Sequence, residues 1–312
     1  MELVDRILSG DHRAIARAIS LIENSSAKTP SLIKGLFGHT GKGRVIGVTG
    51  APGVGKSTLV DQLALICRDE GKTVGILAID PTSPFTGGAI LGDRIRMQRH
   101  TLDEGVYVRS MANQGHLGGL SYATSDAIFV LDAAGFDVVI VETVGVGQGE
   151  VEIASTADVS IVVTVPDAGD EVQAMKAGIM EIADIFVVNK SDRPGAERTV
   201  AEIEAMLKLQ DIKEGMWCPP VFLTEGTKGT NLAAVFDAVL RCDEFHGKKE
   251  KLNERRYGRA RVRLISILKK RMMDRFEQSG ELSNVVDEAV TNIAMCNVDP
   301  YAAADAIMER MK

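Results

Sequence analysis

Arg44-Val-Ile-Gly-Val-Thr-Gly50-Ala-Pro-Gly53-Val-Gly55-Lys56-Ser57-Thr58 is the stretch that decides how this chain folds. Val45, Ile46 and Val48 form an apolar run suited to a buried strand. The run breaks into a glycine-rich turn, and a helical pattern begins at Lys56. Gly50 to Ser57 fills every position of G-x-x-x-x-G-K-[ST], a phosphate-binding loop. Its glycines let successive backbone N–H groups converge on phosphate oxygens with no Cβ in the way. The helix that follows adds the positive end of its dipole. The expected nucleoside triphosphate contacts are therefore Gly50, Ala51, Pro52, Gly53, Val54, Gly55, Lys56, Ser57 and Thr58. Lys56 should reach the terminal phosphates, and the Ser57 hydroxyl should ligate Mg²⁺.

Outward from this loop the pattern alternates strand and helix. A helix over 56–70 should end at Gly71, and an apolar strand over 73–79 should end in Asp80. Further strands are expected at 106–109, 137–141, 159–165, 185–188 and 221–223, with helical segments between most of them. This predicts an α/β fold, a mainly parallel sheet flanked by helices, with ligands at the carboxyl ends of the strands. Helical periodicity also marks 3–24, interrupted near Ser9, and 231–245, 249–277 and 283–311. The expected organisation is a helical N-terminal extension (1–40), a nucleotide-binding domain (41–244) and a helical C-terminal arm (245–312). In that arm Leu264, Leu268, Met272 and Phe276 make an apolar stripe that docks either on the core or on a second subunit. The dense arginines and lysines around it read as a solvated helix face rather than a contact for an acidic partner.

A net charge of −7 and a pI near 5.4 argue against nucleic-acid or membrane-surface partners. No apolar run is long enough to span a bilayer, and Met1-Glu-Leu-Val-Asp does not read as a signal peptide. Cys67, Cys218, Cys242 and Cys296 are widely spaced, and the five histidines are not grouped with them. That pattern predicts isolated thiols in a reducing cytoplasm, rather than disulfides or a zinc site.

Four further stretches carry chemistry. Asn189-Lys190-Ser191-Asp192 follows an apolar strand and matches N-K-x-D. A carboxylate there accepts from both the ring N–H and the exocyclic amine of guanine, a donor pair that adenine lacks, so GTP is the expected nucleotide. The strand over 138–141 ends in Glu142, at a Walker-B position, and Gly145 can offer its N–H to a γ-phosphate. Hydrolysis to GDP removes that acceptor and releases the loop. Gln148 is displaced from the place of a water-orienting glutamine and is assigned no such role. Asp80 and Asp93 can both approach Mg²⁺ and the attacking water, which leaves open which of them binds the metal. Arg96 either neutralises charge on the phosphates or is a solvated loop charge. The stretch 166–178 either lies at the nucleotide's edge or is an ordinary loop.

Together, Gly50–Ser57, Asp80–Met97, Glu142–Glu150, Gly169–Gly178 and Asn189–Asp192 resemble the GTPase chaperones associated with methylmalonyl-CoA mutase, a MeaB/ArgK-like group of P-loop GTPases. The likeness extends to the tail Asn297-Val-Asp-Pro-Tyr-Ala-Ala-Ala-Asp and covers most of the chain. It implies a homodimeric, Mg²⁺-dependent GTPase that docks on an adenosylcobalamin (B12)-dependent acyl-CoA mutase and gates its cofactor loading and protection. By that resemblance 80–97 is switch I, 142–150 is switch II, and 166–178 is an additional switch with Lys176 as a candidate mutase contact. The arm 245–312 would supply the dimer interface. Thr224, Glu225 and Gly226 stand where the family has a guanine-supporting Ser-Ala loop, a loose match that puts nucleotide affinity in question. Two rival readings are a nickel-enzyme maturation GTPase and an ATP-dependent kinase of amino-acid transport proteins. The first needs a Cys/His cluster near the switches, and the second is opposed by Asp192.

Overall fold

Seven strands form one sheet in the order β3-β2-β4-β1-β5-β6-β7, and every neighbouring pair is parallel. They are β1 (Arg44–Thr49), β2 (Val74–Pro81), β3 (Val106–Asn113), β4 (Val138–Glu142), β5 (Val159–Thr164), β6 (Ile185–Val188) and β7 (Val221–Leu223). The architecture comes from a computed structural model that describes residues 2–81, 98–100, 102–113, 122–143, 153, 156–166, 182–209, 215–246, 257–258, 260–269, 271–272 and 280–310. The α-helices outside residues 257–272 include α1 (Glu2–Leu8), α2 (His12–Glu23), α3 (Thr29–Leu36), α4 (Lys56–Asp69), α5 (Tyr122–Ala133), α6 (Ala196–Leu209), α7 (Leu232–His246), α8 (Gly280–Ala294) and α9 (Pro300–Arg310).

The central strands read as unbroken apolar runs because both of their faces are covered. In β4, Val138 and Ile140 join the core under α4 and α7, with Leu59, Leu63, Phe236 and Val239. Val139 and Val141 point the other way, into a second core with Leu131 of α5 and Ile7, Ile15, Ile19 and Leu36 of α1–α3. The N-terminal helices therefore close one face of the sheet. Burying each of those three isoleucines is worth about 1.5–3 kcal/mol. The interruption expected near Ser9 is a helix start: Asp11 caps α2, accepting from the N–H groups of Arg13 (2.8 Å) and Ala14 (3.1 Å). A smaller core packs Phe186 and Val188 against Ile203 and Leu207 of α6.

The chain divides into two compact units, Met1–Asn253 and Glu254–Lys312. Helix α7 runs through His246, within the first unit. In the second unit α9 starts at Pro300, capped by Asp299, which accepts from the N–H groups of Tyr301 and Ala302, both at 3.0 Å. Within the stripe Leu264, Leu268 and Met272 are exposed, and Phe276 lies outside the described residues. Among the described residues, no helix is long and apolar enough to cross a membrane.

Candidate nucleotide site

The carboxyl end of β1 passes directly into the phosphate loop, and two glycines there have no substitute. Gly50 has φ +141°, and a Cβ on it would sit 2.0 Å from the carbonyl oxygen of Val163 in β5. Gly55 has φ +97°, and its Cβ would lie 2.4 Å from Nδ2 of Asn189. The loop is thus pressed against the carboxyl ends of β5 and β6. Lys56 opens α4 and is buried, its Nζ donating to the carbonyls of Gly50 (2.7 Å) and Ala51 (2.8 Å). Those bonds hold the ammonium against the backbone of the glycine-rich loop.

Ser57 Oγ donates to Glu142 Oε1 at 2.7 Å. Register explains the meeting. Glu142 is the last residue of β4, opposite Val48 of β1 and Ala78 of β2, so it emerges beside the start of α4. Glu142 is 5% exposed and Asp80, at the end of β2, is 6% exposed, so neither is a solvated strand-end charge. The buried hydroxyl and carboxylate, with Asp80 on the adjacent strand, make a hard oxygen donor set of the kind Mg²⁺ takes. Thr143 Oγ1 donates to Thr49 Oγ1 at 2.9 Å, tying the ends of β4 and β1 together beneath this pair.

The N-K-x-D turn is built just as closely onto the loop. Asn189 Nδ2 donates to the Val54 carbonyl (2.8 Å), while its Oδ1 accepts from Gly226 N–H (3.0 Å) and Thr224 Oγ1 (3.2 Å). One buried amide therefore joins the phosphate loop, the end of β6 and the turn after β7. Lys190 adopts φ +56°, and its Nζ reaches the Gly53 carbonyl at 2.6 Å. Asp192 is exposed at the rim, and Glu225 pairs with Lys228 at 2.7 Å.

The profile of the Methylmalonyl Co-A mutase-associated GTPase MeaB family matches residues 15–281. The chain belongs to the MeaB family of GTPases. A Pyrococcus horikoshii protein provisionally named a GTPase is 47% identical over 313 residues, spanning 99% of this chain and 98% of its own. A Caenorhabditis elegans protein named methylmalonic aciduria type A homolog, mitochondrial, is 30% identical, spanning 98% of this chain and 82% of its own. A crystal structure titled LAO/AO transport system kinase shares the fold, with a TM-score of 0.75 at 23% identity, over 99% of this chain and 96% of that one. As a MeaB-family P-loop GTPase the protein binds guanine nucleotide and hydrolyses GTP.

Of the residues expected in this GTPase site, Asp93, Arg96 and Gly145 lie outside the described residues, as do Lys176 and most of the three switch stretches. Thr49, Thr143 and the bridging role of the Asn189 amide are additions that the motifs did not name. Buried Asp61 of α4 and His100 approach within 3.0 Å, where the chain after residue 97 passes the helix that follows the phosphate loop. Cys67 of α4 belongs to the core, where burial pushes its thiol up to about 12, so it stays protonated and unreactive at neutral pH.

Proposed function

We propose that this GTPase is a cytoplasmic chaperone that docks on an adenosylcobalamin-dependent acyl-CoA mutase and gates cofactor loading and protection. Membership of a family named for its mutase association supports the partner. The observation that carries the switch reading is the Asn189 amide, which couples the guanine-reading turn to the phosphate loop through Val54. In this reading Asp192 accepts from the guanine edge, and Thr224, Glu225 and Gly226 wall the base. Lys56 exchanges its bonds to Gly50 and Ala51 for phosphate oxygens, which lie where the loop N–H groups converge. Ser57 and Glu142 would hold Mg²⁺, with Asp80 and Asp93 sharing the metal and the water. When bound there, the ion would supply charge neutralisation on the phosphates. Gly145 senses the γ-phosphate, and Arg96 stabilises the charge that leaves with it. Loss of that phosphate relaxes 80–97, 142–150 and 166–178, a surface the mutase reads. A second copy binds through the C-terminal arm, whose exposed Leu264, Leu268 and Met272 give it an apolar seam.

A pull-down with tagged protein, a non-hydrolysable GTP analogue and purified mutase tests the partnership. Retention with the analogue and release with GDP is the expected result. No retention in either state would remove the mutase from the account.

A further inference from the structure

At the opposite, amino edge of the sheet, three side chains of metal-ligating type converge: Asp184, Cys242 and His246. Their donor atoms all lie within 4.8 Å of one another. Cys242 and His246 are four residues apart on the last turns of α7, and so share one helix face. Asp184 immediately precedes β6, which α7 covers. The four cysteines and five histidines look dispersed along the chain, yet the fold groups one of each with an acid.

We propose that Asp184, Cys242 and His246 form a binding site for a divalent transition metal ion of the zinc type. The geometry suits a tetrahedral ion. Asp184 Oδ1 and His246 Nε2 are 3.6 Å apart, too far for a hydrogen bond and close to the edge of a tetrahedron with bonds of about 2.1 Å. His246 Nε2 is buried and makes no hydrogen bond. The carboxylate is oriented from behind, since Asp184 Oδ2 accepts from the Ser160 N–H at 2.9 Å. Such outer bonds fix a ligand for its metal. Thiolate, imidazole and one carboxylate are a borderline-soft set that disfavours Mg²⁺ and Ca²⁺. Charge also closes. On binding, the Cys242 thiol loses its proton to water and a sulfur–metal bond forms. Thiolate and carboxylate then balance the divalent ion beside a neutral imidazole. Three protein ligands leave a fourth position for water.

The site lies one strand length from the guanine-reading turn, because Asp184 and Asn189 bracket β6. It would staple the end of α7 to the start of that strand, a role separate from nucleotide chemistry.

The single tryptophan reports on it. Trp217 Nε1 donates to the Asp184 carbonyl at 2.8 Å, and its ring centroid is 6.2 Å from that of His246. Cobalt(II) added to tag-free, metal-stripped full-length protein should quench Trp217 at one equivalent and give a thiolate-to-cobalt absorption band. Cys242→Ser should abolish the band, and His246→Ala should weaken binding at least about tenfold. Cys218→Ser, at the exposed neighbour of Trp217, should change neither. Basal GTP hydrolysis should be the same in His246→Ala and wild type. Absence of stoichiometric quenching would overturn the site. So would a band lost with Cys218→Ser, or one that persists undiminished in both Cys242→Ser and His246→Ala.

Discussion

The two edges of the sheet use acidic and polar side chains for opposite purposes. At the amino edge carboxylates cap backbone. Asp158 accepts from Val45 N–H (2.8 Å), Asp137 from Thr73 N–H (2.8 Å), and Asp184 from Ser160 N–H (2.9 Å). Asp132 of α5 gathers the N–H groups of Gly41, Lys42 (3.1 Å) and Gly43 (2.8 Å), fixing the chain just before β1. These bonds set strand position. At the carboxyl edge buried polar groups instead reach across strand ends to the phosphate loop, as in Lys56, the Ser57–Glu142 pair and Asn189. The lesson is that residue type alone does not mark a site. What separates the edges is whether the partner is the backbone of a neighbouring strand or a loop shaped to take a ligand.

Substitutions at the two edges should therefore separate activity from stability. The largest effect is expected from Lys56→Ala, which should cut kcat/KM for GTP by about 100- to 1000-fold in a phosphate-release assay. Its melting temperature should stay within a few degrees of wild type. Asp192→Asn comes next. It should reduce the preference for GTP over xanthosine triphosphate by on the order of 100-fold in competition binding, since it removes the acceptor we propose for the guanine edge. Asp132→Ala should reverse the pattern, costing about 2–3 kcal/mol in urea unfolding, while GTP affinity moves less than about twofold. A large loss of GTP affinity in Asp132→Ala would dissolve the division between the edges.

Much of this division was legible in the chain. The strands stood out because burial on both faces leaves uninterrupted runs such as Val138–Val141. The phosphate loop stood out because its backbone demands glycine where Val163 and Asn189 crowd it. Strand β3 runs four residues past the expected Arg109 because Ser110, Met111, Ala112 and Asn113 pair with Ala78 to Pro81 of β2, a gain local pattern does not record. The same holds for Asn189, whose partners Val54 and Gly226 are distant in sequence. Cys242 and His246 did carry a signal, their four-residue helical spacing, but it gained meaning only when Asp184 arrived from another element.

The smallest expected effect sharpens the account of the amino edge. A hydrogen bond from the Arg68 guanidinium holds the Asp103 carboxyl below its usual value, helped by the Gly105 N–H. A carboxyl depressed on folding contributes its full stability above its unfolded value, near pH 4, and loses it as pH falls through the folded value. Unfolding midpoints of wild type should therefore drop below about pH 4, and Asp103→Asn should flatten that part of the profile slightly. GTP turnover at neutral pH should be unaffected.

The central claim, that a partner enzyme reads the carboxyl edge, is tested most directly by the GTP hydrolysis rate of the full-length protein with and without a purified adenosylcobalamin-dependent acyl-CoA mutase. Slow turnover alone and a saturable rise of at least about tenfold with mutase is the predicted result. Rapid turnover by the protein alone, unchanged by saturating mutase, would contradict it.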